Sequence, residues 1–218
     1  MRAERRGRTR AVPRDRLAAP SCCPANSTSA QRRGGRYCDA MSEWSVFGSL
    51  RTARMRLDPL TLKHVELLMD LDGDPEVMRY INGGKASSRE EVTSAIRAHL
   101  GYRWAAFTED ADDFIGWFSM RPAGERAYDL GYRLRRVYWN RGLATEGSGV
   151  LIDLAFRKLD AVRVRADTMT VNQRSRRVME RCGLRYVRTF HLQWDEPIDG
   201  TDLGDVEYEI RRDEYLAG

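Results

Sequence analysis

The sequence predicts an α/β protein built on one mixed, mostly antiparallel sheet of about seven strands flanked by helices. Three observations lead to this fold class. Short apolar strand patterns follow one another at residues 103–108, 114–120 and 128–134, as in an antiparallel meander. Helical periodicity dominates the segment 61–100 before them. Strand and helix patterns then alternate in the second half, which requires at least one parallel pairing.

The first half begins with a strand at residues 51–57. A helix opened by Thr61 follows, with its apolar residues, Leu62 included, on one face. Pro75 suits the first turn of a short second helix, because its missing N–H would have no partner there. Ser88, with a glutamate three residues later, forms a capping-box pattern that starts a third helix ending near residue 100.

The second half continues past the meander with a helix at 144–159, a strand at 162–168, a helix from residue 172, and strands at 184–193 and 205–211. Asn172 suits the N-cap of the second of these helices, and Gly183 suits its C′ position. Val178, Met179 and Cys182 are predicted to form its buried face.

Residues 1–40 differ in composition from the rest of the chain. They hold ten Arg against three acidic residues, a net charge of +7, which leaves −2 for the remaining 178 residues of a chain with net charge +5. This leader has almost no apolar periodicity, so we expect it to be disordered. It is a basic targeting or nucleic-acid-binding tail, a neutral linker, or sequence upstream of the true start. The use of 34 Arg against three Lys is typical of GC-rich coding, in which spurious reading frames upstream of a gene are common. This bias favours Met41 as the start, with 41–218 as one folded domain.

Several classes of protein are disfavoured by the same composition. Neither an apolar signal core nor a run of about 18 apolar residues is present, so no secretory signal or membrane helix is expected. Cys182 is the one cysteine of the domain, because Cys22, Cys23 and Cys38 lie in the leader, so neither a disulfide framework nor a zinc spacing exists there. The slightly acidic domain is not expected to bind nucleic acid. We expect a cytoplasmic protein without a metal.

The stretch 132–146, Y-R-L-R-R-V-Y-W-N-R-G-L-A-T-E, carries the strongest functional signal. An apolar strand runs into a small-residue turn that opens a helix, and the first N–H groups of a helix lack partners and carry partial positive charge. Gly142 and Ala144 would let an anionic group approach the bare backbone. Further positive charge comes from Arg135, Arg136 and Arg141. The turn therefore predicts phosphate binding, although many Gly-x-Ala turns only pack.

The order strand, W-N-R-G-L-A-T-E, helix, strand, N-x-x-S-x-x-V-x-E-x-x-G-L resembles the GCN5-related N-acetyltransferase (GNAT) superfamily. The similar branch is that of the ribosomal-protein-alanine N-acetyltransferases. Upstream, S-L-R-T-A-R-M-R-L-D-P-L-T from Ser49, D-P-E-V-M-R-Y-I from Asp74 and F-I-G-W-F-S-M-R-P from Phe114 resemble the opening strand, first helices and central hairpin of this branch. The similarity covers about Leu50 to Leu216. It implies the GNAT fold and an acyltransferase that uses acetyl-CoA.

The resemblance implies that backbone N–H groups hold the pyrophosphate of acetyl-CoA, with Asn172 near the pantetheine arm and Ser175 near the sulfur. The expected cofactor-binding residues are Leu134, Arg136, Asn140, Arg141, Gly142, Leu143, Ala144, Thr145, Asn172 and Ser175. The chain has Trp139 where the superfamily loop often begins with Gln or Arg, and Asn140 where this branch commonly has Gly. Neither departure removes a backbone donor. Because Gly reaches positive φ more easily than Asn, the loop conformation stays open.

Attack of an amine on a thioester needs a base for the proton of the amine and a donor for the leaving thiolate. Ser175 is the candidate donor; the alternative is a helix-surface serine. Asp129 is the candidate base, on the strand where some superfamily members carry a glutamate; the alternative is a solvent-facing residue. Glu207 and His191 are further candidates, because their strands wall the acceptor side in this superfamily. A packing histidine and a solvated E-x-E face are the alternatives there.

The predicted acceptor is a primary amine, either a protein N-terminus or a small molecule, acetylated directly in a ternary complex. The acidic connection at 194–204 favours a cationic acceptor. Two other functions stay open: a non-catalytic acyl-CoA sensor of the same fold, and a nucleic-acid-associated protein that acts through the leader. The strand edges could be capped by loops or by a second subunit, so a homodimer is an alternative to a monomer.

Overall fold

A computed structural model describes residues 47–217 of the chain. The predictions for the leader, including Met41 as the start, therefore lie outside the described residues. Within residues 47–217, no helix is both long enough and apolar enough to span a bilayer.

The described chain forms one mixed sheet. Its strands are β1 (Leu50–Arg51), β2 (Met55–Pro59), β3 (Arg103–Thr108), β4 (Phe114–Pro122), β5 (Ala127–Leu134), β6 (Arg163–Met169), β7 (Arg185–Phe190) and β8 (Asp205–Arg211). Their order in the sheet is β1-β2-β3-β4-β5-β6-β8-β7, and every neighbouring pair is antiparallel except β5 and β6. The predicted fold class is confirmed.

Helices cover both faces of the sheet. In residues 47–217 they are α1 (Val65–Asp72), α2 (Pro75–Asn82), α3 (Arg89–Ala98), α4 (Leu143–Lys158), α5 (Gln173–Arg181) and α6 (Arg212–Ala217). Apolar residues of α1, α2 and α3 pack with Phe107 and Trp117 on one face. Apolar residues of α4 and α5 pack with Phe118 and Tyr208 on the other. The sheet therefore separates two apolar clusters.

Most helix ends lie where the sequence predicts them. The Asp74 side chain accepts a hydrogen bond from Glu76 N–H before α2, and Ser88 forms a capping box with Glu91 before α3. Asn172 caps α5, and Gly183 follows its C-terminus with φ 83°. Local side-chain chemistry is therefore sufficient to place these ends.

Two local predictions are wrong. The strand expected at 51–57 is divided into β1 and β2, because the Thr52 hydroxyl accepts hydrogen bonds from the N–H groups of Arg54 and Met55 and closes a tight turn. The sheet consequently has eight strands. The helix expected to open at Thr61 begins as a 3₁₀ turn, Leu62–His64, and Leu62 is 45% exposed rather than buried.

The one parallel pairing is short. It runs from Ala127 opposite Arg163 to Asp129 opposite Arg165, although β5 continues to Leu134 and β6 to Met169. The carboxyl-terminal halves of the two strands therefore diverge. A cleft opens between them.

Candidate active site

The cleft between β5 and β6 has a volume of about 550 Å³ and is lined by α2, by the loop before α4, and by α5 as well as by the two strands. Because β6 has moved away, both faces of β5 contribute to the lining. Tyr132 and Leu134 belong to the cluster under α4, whereas Arg133 lies opposite Trp117 on the other face. The cleft thus connects the two sides of the sheet.

The N-terminus of α4 opens on this cleft. Gly142 is its N-cap, with φ 77°, and the first hydrogen bond of the helix runs from Glu146 N–H to the Gly142 carbonyl at 3.0 Å. The N–H groups between these two residues precede that bond, and no side chain of the described residues caps them. This terminus therefore has the donors and the dipole that an anionic group requires.

The loop before α4 takes the shape that a glycine would allow. Asn140 has φ 60°, so the residue that replaces the usual Gly is itself left-handed. Asn is among the non-glycine residues that tolerate this region best. Arg54 of the β1–β2 turn holds the loop in place: its Nη1 donates to the Arg141 carbonyl at 2.8 Å, and its Nε donates to Glu146 at 2.7 Å.

Trp139 closes the end of β5 against α5. Its indole N–H donates to the Leu134 carbonyl at 2.8 Å, and the guanidinium of Arg174 lies over its ring, 4.9 Å from the centroid. Trp139 and Arg174 both line the cleft. Trp139, which stands where the superfamily often has Gln or Arg, thus contacts both the end of β5 and α5 through its indole ring.

The N-terminus of α5 brings a hydroxyl pair into the cleft. The Asn172 Oδ1 accepts from Ser175 N–H at 3.2 Å, and its Nδ2 donates to the Thr168 hydroxyl at 3.0 Å. The Ser175 hydroxyl lies 2.9 Å from the Tyr132 hydroxyl, which also lies 3.1 Å from the Ser175 carbonyl. Burial raises the pKa of Tyr132, so its phenol keeps its proton. The phenolic proton of Tyr132 can therefore be donated either to the hydroxyl or to the carbonyl of Ser175.

Most of the predicted cofactor-binding residues meet at the cleft. Those that line it are Leu134, Asn140, Gly142, Leu143, Ala144, Thr145, Asn172 and Ser175. Two predicted residues do not line it. The Arg136 side chain is 62% exposed and lies 3.7 Å from Asp74, and the Arg141 guanidinium lies over the Tyr138 ring. Each of these arginines contacts a side chain of the surrounding loops instead.

The three predicted bases also lie outside the lining of the cleft. Asp129 stands where β5 and β6 still pair, and its carboxylate is held by Arg121 at 3.1 Å and by Arg165 at 2.9 Å. Glu207 pairs with Arg188 at 2.8 Å. The His191 ring lies 3.2 Å from the Asp202 carbonyl. Each of the three groups therefore has a polar partner outside the cleft.

Sequence reasoning missed several lining residues. Asp167 and Glu76 are carboxylates at the cleft, and Trp117 and Arg133 line its α2 side. Arg174 and Arg181 also line it, on the same helix face as Arg177, at the i, i+3, i+7 spacing. That spacing, and the two-residue alternation of β6, are signals in the sequence that would have found these arginines and Asp167. In residues 47–217, no cluster of three or more His, Cys, Asp or Glu side chains suits a metal ion.

The fold and the cleft define an α/β enzyme whose two helix N-termini face a gap between parallel strands. The sequence profile of the Acetyltransferase (GNAT) domain matches residues 54–185. The chain belongs to the GNAT acetyltransferase family, as its motifs predicted, and it is an N-acetyltransferase of that family, which uses acetyl-CoA.

Known proteins of similar sequence and structure agree with this assignment. The chain is 35% identical over 188 residues to the FsC-acetyl coenzyme A-N(2)-transacetylase of Aspergillus fumigatus, covering 77% of this chain and 78% of that protein. A GNAT-family acetyltransferase from Bacillus anthracis has a TM-score of 0.66 at 20% identity, over 76% of this chain and 99% of that one. Spermidine N-acetyltransferase from Vibrio cholerae, in complex with CoA and spermine, has a TM-score of 0.64 at 14% identity, with the same coverage. The two structures share the fold.

Proposed function

We propose that this enzyme transfers the acetyl group of acetyl-CoA directly to a primary amine within a ternary complex. The observation that carries the proposal is the cleft, which is open on both sides of the sheet. One side meets the helix N-termini of α4 and α5, and the other meets α2. Two substrates can therefore approach the same point from opposite sides.

The α4 terminus is the proposed site for the pyrophosphate, through the backbone N–H groups of residues 140–145. The arginines of the α5 face, Arg174, Arg177 and Arg181, supply cationic charge along the same wall. On its β6 side, β5 has no paired strand beyond Asp129 in the described part of the chain. Its free backbone groups there suit the amides of a pantetheine arm, because an open strand edge pairs with any extended amide chain.

Ser175 is the proposed donor to the leaving thiolate. Its hydroxyl becomes a stronger donor to the sulfur when it accepts a hydrogen bond itself, and the Tyr132 hydroxyl is placed to supply that bond at 2.9 Å. In the resting enzyme the Tyr132 proton can lie toward the Ser175 carbonyl; when negative charge forms, it can move toward the Ser175 oxygen. Tyr132 would thus position and polarise the serine, which touches the reacting atoms.

The proton of the amine is proposed to leave through a carboxylate or a water path on the β6 side. Asp129 and Glu207 stay predictions for this role, and Asp167 joins them, because it lines the cleft and lies opposite Glu207 in the β6–β8 register. Comparing Asp129→Asn, Glu207→Gln and Asp167→Asn in pH–rate profiles would identify the base. The base is the residue whose neutralisation removes the fall of kcat/KM at low pH.

Direct transfer agrees with the properties of the thiol in the described residues. Cys182 is the one cysteine in residues 47–217; its Sγ lies 3.7 Å from the Thr145 carbonyl, and burial raises its pKa to about 11. A thiol that stays protonated is a poor nucleophile, so a covalent acetyl-cysteine is disfavoured.

An amine acceptor agrees with the surroundings of the α2 side. Ile198, in the acidic connection 194–204, lies against Gly83 at the end of α2, so this connection borders the helix that lines the cleft. Its acidic side chains would attract a protonated amine. The names of the relatives, a transacetylase and a spermidine N-acetyltransferase, support the same class of acceptor. If neutralising these acids leaves the acceptor KM unchanged at every ionic strength, the connection has no such role.

Calorimetric titration with acetyl-CoA, paired with thiol release against a panel of amines and peptide N-termini, tests the proposal. Binding with turnover that requires an amine is the expected result. Mass spectrometry after acetyl-CoA alone should show no acetylated enzyme. Binding without turnover for every amine would instead favour an acyl-CoA sensor.

A further inference from the structure

A buried cationic cluster lies beside the cleft, and the proposed chemistry does not use it. Arg103 of β3 is 4% exposed and Arg133 of β5 is 8% exposed. Both guanidinium groups lie against the ring of Trp117, at 4.0 and 5.3 Å from its centroid. Asp72 of α1 bonds Arg133 Nη1 at 2.6 Å through its carboxylate.

This cluster has one positive charge more than it has negative charges. Asp72 compensates one guanidinium, and among residues 47–217 no carboxylate forms an ion pair with Arg103. His99 nearby adds no charge at neutral pH, because burial and then Arg103 lower its pKa to about 4. Burial and the neighbouring Arg133 lower the pKa of Arg103 to about 9. An uncompensated buried charge is strongly unfavourable, so a folded chain rarely keeps one without a use.

The cluster also has more hydrogen-bond donors than acceptors. In the described residues, the Nε atoms of Arg103 and Arg133 and the indole N–H of Trp117 are buried without a partner. Buried donors are nearly always satisfied in native proteins, and each orphan is unfavourable. All three orphans are donors, so what they lack is an acceptor, preferably an anionic one.

The cluster adjoins the point where the two substrates would meet. Trp117 and Arg133 line the cleft together with Gly131, which precedes Tyr132 on β5. A Cβ at Gly131 would lie 2.7 Å from the Ser119 hydroxyl and 3.6 Å from the Trp117 ring. The Ser119 hydroxyl and the Trp117 ring therefore pack directly on the bare backbone of Gly131, one residue away from the Tyr132–Ser175 pair, and no side chain at position 131 separates Trp117 from that pair.

We propose that the acceptor carries a carboxylate close to its amino group, and that the cluster of Arg103, Arg133 and Trp117 binds this carboxylate where Trp117 and Arg133 line the cleft. The proposal rests on the proposed function of the cleft. A carboxylate matches the single surplus charge, whereas a phosphate monoester carries about −1.5 to −2 near neutral pH. The acceptor is thus a free amino acid or a related amino carboxylate. A polyamine and a protein N-terminus lack this group.

Matched acceptor series test the proposal on the full chain. Each series contains an α-amino acid, its carboxamide and its decarboxylated amine, with small, aliphatic, aromatic and cationic side chains represented. Thiol release with acetyl-CoA should give a kcat/KM at least about 100-fold higher for the acid than for its carboxamide in one series or more. Calorimetry of the same compounds with the CoA complex should show the same preference, independent of turnover. Equal use or equal binding of acid and carboxamide in every series would overturn the proposal.

Arg103→Met separates a binding role from a structural one. If Arg103 binds the substrate carboxylate, the variant loses the acid-over-carboxamide preference about 100-fold, while urea unfolding shows stability equal to or above that of the native chain. Arg103→Lys keeps the charge but not the planar fork, so its preference for the acid should lie between those of the native chain and Arg103→Met. Arg97→Met, an exposed arginine on α3, is the matched control and should keep the preference. Lower stability with an unchanged preference would make Arg103 structural.

The two proposals fail in different ways. If acetyl-CoA does not bind, or if no amine of any series is acetylated, the proposed function fails. If amines are acetylated without regard to the carboxylate, only the carboxylate subsite fails.

Discussion

Replacing Gly147 of α4 by Ala tests how this helix packs on the sheet. A Cβ at Gly147 would lie 2.4, 2.6 and 2.7 Å from three ring atoms of Phe118, whose side chain is fully buried in β4. Carbon atoms in contact normally lie about 3.5–4.0 Å apart, so the ring or the helix must move by about 1 Å. The ring has little room, because Tyr132 packs against it with a centroid distance of 6.4 Å.

The expected magnitude follows from two opposing effects. Overpacking of this severity costs about 3 kcal/mol, and Ala in a helix interior regains about 1 kcal/mol relative to Gly. The net loss is about 2 kcal/mol, which corresponds to a Tm lower by about 4–8 °C for a chain of this size. Because α4 carries the proposed pyrophosphate site, movement of the helix should also weaken acetyl-CoA binding.

Gly149, two residues later in the same helix, is the matched control, since nothing lies within 4 Å of the Cβ it would gain. Gly149→Ala should be neutral or stabilising by up to about 1 kcal/mol. Urea unfolding and acetyl-CoA calorimetry on both variants give the comparison. Adding Phe118→Leu to Gly147→Ala removes the ring atoms and should recover cofactor affinity. Equal stability of the two alanine variants would refute the packing argument.

Three further predictions concern the site and its surroundings. Ser175→Ala should lower kcat about 100-fold or more, with acetyl-CoA affinity nearly unchanged. Tyr132→Phe should lower kcat less, because it removes only the group that polarises the serine. Equal kcat in both variants and the native enzyme would exclude the pair from the reaction. Burial lowers the pKa of His99 to about 4, whereas the ordinary value is 6.5. The neutral ring is therefore fully compatible with folding above pH 6.5, and the free energy of unfolding should fall by about 3 kcal/mol as the pH drops from 6.5 toward 4. Urea unfolding of His99→Gln should show a flatter pH dependence in that window. Asn140→Gly should keep acetyl-CoA affinity, whereas Asn140→Val should weaken it at least about tenfold, because a β-branched residue does not accept φ 60°. An unchanged affinity for the valine variant would show that the loop does not need this conformation.

The elements that depend on local chemistry were predictable from the sequence. The caps at Asp74, Ser88 and Asn172 act within three residues, so residues that are close in the sequence suffice to place the starts of α2, α3 and α5. The cofactor loop was recognisable for the same reason, since its glycine and its helix are contiguous. The turn at Thr52 was missed because one threonine hydroxyl decides it, and threonine is equally common in strands.

The site beyond that loop depends on contacts between distant segments. The sequence did not show that β5 and β6 part after Asp129, because divergence of a strand pair is a property of the whole sheet. It therefore placed Asp129 near the chemistry, whereas the structure pairs that carboxylate with Arg121 and Arg165 outside the lining of the cleft.

The sequence predicted the class of this enzyme through motifs that resemble a known superfamily, and it predicted most strands of the sheet and the loop proposed to hold the cofactor, because those depend on patterns that repeat or act over a few residues. Tertiary structure decided what faces the cleft. It brought Tyr132 to Ser175, 43 positions apart, and Arg133 to Asp72, 61 positions apart. Burial then set the charge states of His99 and Cys182, because a pKa depends on the surroundings that only the folded chain creates.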